Sequence, residues 1–385
     1  MKRLNIDKNI ISIVGIVLLL TSFGCLMVYS ASSYSAEYHY GNQYFFLVKQ
    51  IMGVLMGICA MLFFTFFDYH KLKKYKWVIV AGSAILLVLV FIPGLGVESY
   101  GAKRWVSIFG LSIQPSEIAK FALVVFCAAH LADNHEKAKT LKGILPVLLV
   151  GGGLCLLIML EPSMSVTMCI AFVTLFMLII GGMSKKHTLM FSIPATAVVP
   201  ILIFLEPYRL KRLLAFLDPW ASPQGEGFQL IQSLYSLGSG GWFGVGLFQS
   251  RQKYLFLPFA ESDFILSIIG EEIGYFGLIA LMIVFLTLVI LLIKIGLSAP
   301  DRFGALLACG VAFIIGVQTL LNIAVVTGSI PPTGLPLPFI SSGGTSVMVF
   351  MAGIGMCLNI LRQSRKSQEK LFNISFFKVK RKKAR

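Results

Sequence analysis

The chain has 385 residues, of which 57% are hydrophobic and 13% charged. Soluble domains carry about a quarter charged residues, so a water-soluble fold is excluded and lipid must be the solvent for most of this surface. The formal net charge of +16 could suggest a nucleic-acid partner, but ten lysines and arginines follow Leu361 against Glu369 alone, and a basic cluster directly after a span lies against anionic headgroups instead.

Apolar runs of spanning length predict helices near Ile10–Tyr29, Phe46–Phe67, Trp77–Ile92, Pro115–Ala132, Gly143–Leu160, Met164–Gly182, His187–Leu205, Asp263–Lys294, Phe303–Thr327 and Ser341–Leu361. The expected fold is an all-α polytopic membrane protein with about ten transmembrane helices. Residues 1–361 form one unit and 362–385 a basic cytoplasmic tail. The first run follows Met1-Lys2-Arg3 but is too long for a cleaved signal segment, and nine more runs follow, so it is read as a retained helix. Lysines and arginines crowd alternate connections: Lys71, Lys73, Lys74 and Lys76; Lys137, Lys139 and Lys142; Lys185 and Lys186; Lys294 and Arg302. The opposite connections at 30–45 and 328–340 have none. Both chain ends are therefore expected in the cytoplasm, and a large outer loop, 206–262, joins helices 7 and 8. The seven cysteines all lie in apolar runs without metal-ligand spacing, which suits packing.

Positive charge on the outer face breaks the pattern at Lys103 and Arg104 and again at Arg209, Lys211, Arg212, Arg251 and Lys253. An anionic ligand is one local reason for it. Leu210, Leu213, Leu214 and Leu217 recur at helical spacing between the cations, predicting a short amphipathic helix on the outer leaflet; headgroup anchoring and phosphate binding both fit it. A second short helix is expected from Gly227 to Tyr235, with Gln229 in it, followed by a glycine-rich strip leading to Ser250-Arg251-Gln252-Lys253. Asp263 stands where this loop meets an apolar helix. Asp is a favoured N-cap, a job Ser262 could share, and catalysis is the competing reading. Ser267 and Gly270 fall on its helical face, and Glu272 points away.

The fourth span opens Gln114-Pro115-Ser116-Glu117-Ile118-Ala119-Lys120. Glu117 and Lys120 can pair at i, i+3, either as architecture or to position a site. The last outer connection, rich in proline and glycine before Ser341, forbids continuous helix at membrane depth.

Together these segments resemble the SEDS family (shape, elongation, division and sporulation), the peptidoglycan polymerases that include FtsW, SpoVE and RodA. The resemblance is carried by Lys103-Arg104-Trp105, Gln114-Pro115-Ser116-Glu117, Pro207-Tyr208-Arg209, Gly227-Phe228-Gln229, Ser250-Arg251-Gln252-Lys253, Ser262-Asp263-Phe264-Ile265 and Pro338-Phe339-Ile340-Ser341; the Ser-Arg-Gln-Lys segment is closer to FtsW and SpoVE than to RodA. It implies a glycosyltransferase polymerising lipid II on the outer face of the bacterial cytoplasmic membrane, in division or sporulation, with Asp263 at the position of the family's essential aspartate. Lys103, Arg104, Gln114, Ser116, Glu117, Lys120, Arg209, Gln229, Ser250, Arg251, Lys253 and Ser341 are the expected substrate-binding residues. A divalent cation could share the diphosphate. A class B penicillin-binding protein and other division or sporulation membrane proteins are the implied partners, at the septum. One departure stands out: where the family commonly has Gln-Pro-Asp, this chain has Glu161-Pro162-Ser163. Two rival functions stay open, a lipid II flippase and a non-catalytic scaffold.

Overall fold

The computed structural model describes residues 6–99, 102–108, 111–161, 163–204 and 206–383. In chain order these form α1 (Ile6–Tyr40), α2 (Phe45–Phe66), α3 (His70–Lys74), α4 (Lys76–Leu89), β1 (Gly96–Ser99), β2 (Ala102–Ile108), β3 (Leu111–Ile113), α5 (Pro115–Asp133), α6 (Leu141–Leu160), α7 (Met164–Gly181), α8 (Lys185–Phe204), α9 (Pro207–Leu217), α10 (Phe228–Gly240), α11 (Ile265–Leu297), α12 (Arg302–Val326) and α13 (Gly344–Lys383). Eight helices, namely α1, α2, α5, α6, α7, α11, α12 and the first part of α13, are long and apolar enough to cross a bilayer. The shorter apolar α4 occupies the third predicted span. The seventh is taken by α8, with Pro194 and Pro200 inside it; Leu205, its expected end, lies outside the described residues. The chain is a multi-pass membrane protein built almost wholly of helix.

Three boundaries differ from the expectation. No proline or glycine interrupts 30–40, so α1 runs on to Tyr40 through what reads as an outer connection. Residues 96–113 hold an antiparallel three-stranded sheet, β1-β2-β3, whose strands are too short to announce themselves by alternation. Finally, α13 continues past Leu361 to Lys383, so the basic tail starts as helix; Ala384 and Arg385 lie outside the described residues.

The centre of the bundle is α5, α12 and the membrane part of α13, where Leu123, Phe126, Leu307, Ile314, Phe350 and Ile354 are fully enclosed. Helices in lipid gain little from hydrophobic burial against one another, so small residues that allow close approach favour the interior. Ala119, Ala122, Ala128 and Ala129 give α5 that character.

Near its outer end α11 breaks. Gly274 has φ 70° and ψ −173°, and a Cβ there would lie 2.2 Å from the Gly244 nitrogen, so only glycine fits. The backbone of 241–246 fills the gap. The amides of Val245 and Gly246 donate to the Glu271 and Glu272 carbonyls, while those of Tyr275 and Phe276 donate to Gly241 and Trp242. These four bonds satisfy backbone groups that the break would otherwise leave in lipid, and they clamp the outer loop to α11.

Candidate active site

Asp263 ends the outer loop two residues before α11. Three successive carbonyls fix the chain there. The Glu261 carbonyl accepts from the Ser342 amide at 2.9 Å, that of Ser262 from Ser341 Oγ at 2.7 Å, and that of Asp263 from Asn322 Nδ2 at 2.9 Å. With the backbone held, the half-buried Asp263 side chain points at Gly334, where a Cβ would lie 3.3 Å from Oδ2. The capping reading fails on geometry. Phe264 is the N-cap of α11 and no side chain caps it, while Ser262 Oγ donates to the Phe259 carbonyl.

Two guanidinium groups act on this carboxylate. Withdrawal from water pushes the Asp263 carboxyl up to about 6, against the pull of Arg104 and then Arg212. Arg104 comes from the sheet. Val97 opposes Trp105 and Glu98 opposes Lys103, which leaves Arg104 as the extra residue of a β-bulge, a device that re-aims a side chain. Its Nε donates to the Glu161 carbonyl at 3.3 Å. Arg212 comes from α9 and also reaches Glu226 at 3.8 Å. The expected site set omits Arg212; its signal was the i, i+3 spacing that places it on the Arg209 side of one helix. Arg209 itself lies against Met159 at the end of α6, Nη2 to Sδ 3.4 Å.

Other residues of the expected substrate set also hold the frame. Glu117 and Lys120 are fully buried and pair at 2.7 Å. Ser346 Oγ donates to Glu117, and Lys120 donates to Gln318 Oε1 at 2.6 Å. Gln318 in turn donates to the Pro336 carbonyl, and Asn322, one turn on, to that of Leu335. The pair thus props the 331–340 segment from beneath, because a buried ion pair in lipid must spend its bonds inside the protein. Ser341 is a latch, accepting from the Leu337 amide while donating to Ser262.

The Ser250–Lys253 segment is tied to the carboxylates of α11 and to α1. Ser250 Oγ and the amides of Arg251 and Gln252 donate to Glu271, and the Lys253 ammonium donates to Glu272 and Ser30 at 3.2 Å each. Ser267, expected on the Asp263 face, bonds Ser233 of α10. Among the remaining expected residues, the Gln114 amide donates to Thr345 Oγ1 and Ser116 is buried. The Arg251 side chain is exposed, Gln229 is half-buried on α10, and Lys103 is the register partner of Glu98 in the sheet.

A family-wide profile of the cell cycle proteins FtsW, RodA and SpoVE matches residues 11–366. The chain belongs to this family. The "Probable peptidoglycan glycosyltransferase FtsW" of Geobacter sp. (strain M18) is 39% identical over 348 residues, 90% of this chain and 95% of that protein. Stage V sporulation protein E of Bacillus subtilis (strain 168) is 37% identical over 354 residues, 92% and 97% of the two chains. A chain solved in work on the structural coordination of polymerization and crosslinking by a peptidoglycan synthase complex matches with TM-score 0.76 at 27% identity, covering 91% of this chain and 97% of that one. The rod shape determining protein RodA of Thermus thermophilus, at TM-score 0.68 and 23% identity over 92% and 97%, shares the fold.

As an FtsW/RodA/SpoVE protein this chain keeps its departure at 161–163. Ser163 is buried at the head of α7, where its carbonyl accepts from Thr167. Glu161 is buried at the end of α6, and Pro162 lies outside the described residues.

Proposed function

We propose that the protein is a peptidoglycan glycosyltransferase that polymerises lipid II on the outer face of the cytoplasmic membrane. One observation carries the reading. A desolvated, uncapped carboxylate stands at the membrane rim under the charge of Arg104 and Arg212. A base tuned to about 6 is ionised at neutral pH yet more basic than an ordinary Asp, which suits removal of a proton from an attacking hydroxyl. The acceptor sugar hydroxyl attacks the anomeric carbon of the lipid diphosphate. Asp263 takes the hydroxyl proton as the carbon–oxygen bond forms, and the diphosphate leaves with its bonding electrons, its charge met by the guanidinium groups. A single displacement inverts the anomeric centre and needs no carboxylate nucleophile.

A divalent cation at the diphosphate is not part of these steps. Among the described residues no three His, Cys, Asp or Glu side chains converge, so a divalent cation there would be held by the diphosphate's own oxygens, water and at most one or two carboxylates. A class B penicillin-binding protein is the proposed partner, and other division or sporulation membrane proteins at the septum the proposed setting.

The test is polymerisation of purified lipid II by the chain with its partner. Asp263→Ala should lose at least about 100-fold in rate. Undiminished polymer in that variant sinks the base assignment. Lipid II translocation by vesicles bearing a native protein that makes no polymer would replace this reading with a flippase.

A further inference from the structure

Glu161 closes α6 at the outer side and is fully buried, yet neither carboxylate oxygen has a hydrogen-bond partner among the described residues. A buried carboxyl of this kind is costly as an anion, so its surroundings matter. From β2, Arg104 donates through Nε to the Glu161 main-chain oxygen and acts on its carboxyl. From α9, Arg209 lies at Met159. No Asp, Glu, His, Lys or Arg occurs in α7, and on α5 the Glu117–Lys120 pair is engaged with itself, Gln318 and Ser346. The charge of Arg104, held at the Glu161 main chain, therefore acts on two carboxyls, Glu161 and Asp263.

We propose that Glu161 is a positioning residue that sets how tightly the site holds its diphosphate donor, acting through the guanidinium it shares with Asp263. The inference rests on the site reading above, in which Arg104 meets the diphosphate. Protonated, Glu161 leaves the field of Arg104 directed to Asp263 and the donor. Ionised, it sets a second anion against the same guanidinium, draws Arg104 toward α6 and repels the diphosphate. One proton passes between Glu161 and solvent, and no other bond changes. Burial pushes this carboxyl up to about 8, with Arg104 pulling the other way, so the change falls on the alkaline side of neutrality.

The experiment is steady-state lipid II polymerisation by the full chain with its partner, from about pH 7 to about pH 9, a window that brackets the Glu161 transition. In the native protein KM for lipid II should rise about fivefold while kcat holds. Glu161→Gln and Glu161→Leu, neutral throughout, should keep KM flat at its neutral-pH value, and Glu161→Asp should restore an alkaline rise. A purely structural Glu161 would not make two unlike neutral side chains share one flat profile. A rise that persists in the Gln variant, which is nearly isosteric and decides the matter if Leu fails to fold, overturns the proposal; so does a flat native KM. Arg104→Gln separates the two layers. Weakened donor binding there beside an undiminished rise in Glu161→Gln sinks the role of Glu161 alone. Native donor binding in Arg104→Gln sinks the site reading and this inference together.

Discussion

At Asp263, desolvation and two cations oppose one another, and the balance leaves a carboxyl that titrates at about 6. At saturating lipid II the rate should therefore be flat above that pH and fall about tenfold per unit below it, as the base takes up its proton. Arg212 lowers this value, so Arg212→Ala should move the acid limb to higher pH and raise KM for lipid II, both read from one pH–rate series. The stability sign is the opposite of the usual aspartate case. The folded pKa lies above the unfolded one, so the stabilising contribution is present at low pH and lost as pH rises through about 6. Asp263→Asn should accordingly melt higher than the native protein at pH 8 while making no polymer. Gly334 adds a steric condition. Its φ is +70° and its Cβ position abuts Asp263 Oδ2, so Gly334→Ala should cost about tenfold to a hundredfold in kcat by displacing the carboxylate.

Between elements, the site depends on polar ties that cross helices. The run Ser346–Glu117–Lys120–Gln318–Pro336 joins α13, α5, α12 and the 331–340 segment. Lys120→Met leaves Glu117 buried and uncompensated, and loss of one partner of a buried pair costs about 3–5 kcal/mol. Thermal unfolding in detergent should show that loss, and Glu117→Gln with Lys120→Met should recover much of it. Sequence spacing revealed that Glu117 and Lys120 pair but left their purpose open, because the partners Gln318 and Ser346 come from distant segments. The same limit applies to Lys253. Its tie to Glu272 and Ser30 depends on the loop folding back along the broken α11, which no local pattern announces.

For the whole molecule, lipid is the medium and charge sets the sides. An introduced Gln224→Cys should react with an impermeant maleimide on intact cells, whereas Glu136→Cys should react only after permeabilisation; the reverse would invert the topology. The sequence by itself determined the membrane setting, the apolar runs, the basic amphipathic helix carrying Arg209 to Leu217 and the placing of Asp263 at a loop–helix boundary. These follow from composition and hydropathy along the chain, which act locally. Only the tertiary structure decided which of the outer-face cations act on Asp263. Arg251 and Lys253 are nearer in sequence, but their segment is spent on Glu271 and Glu272. Arg104 and Arg212 arrive instead, one from a β-bulge and one from the amphipathic helix. The outer loop is thus one wall of the site, and the small sheet after α4, unseen in the sequence, brings the other. Convergence of remote segments is a property of packing and of backbone hydrogen bonds that must all be met within lipid, and so it becomes visible only in the folded chain.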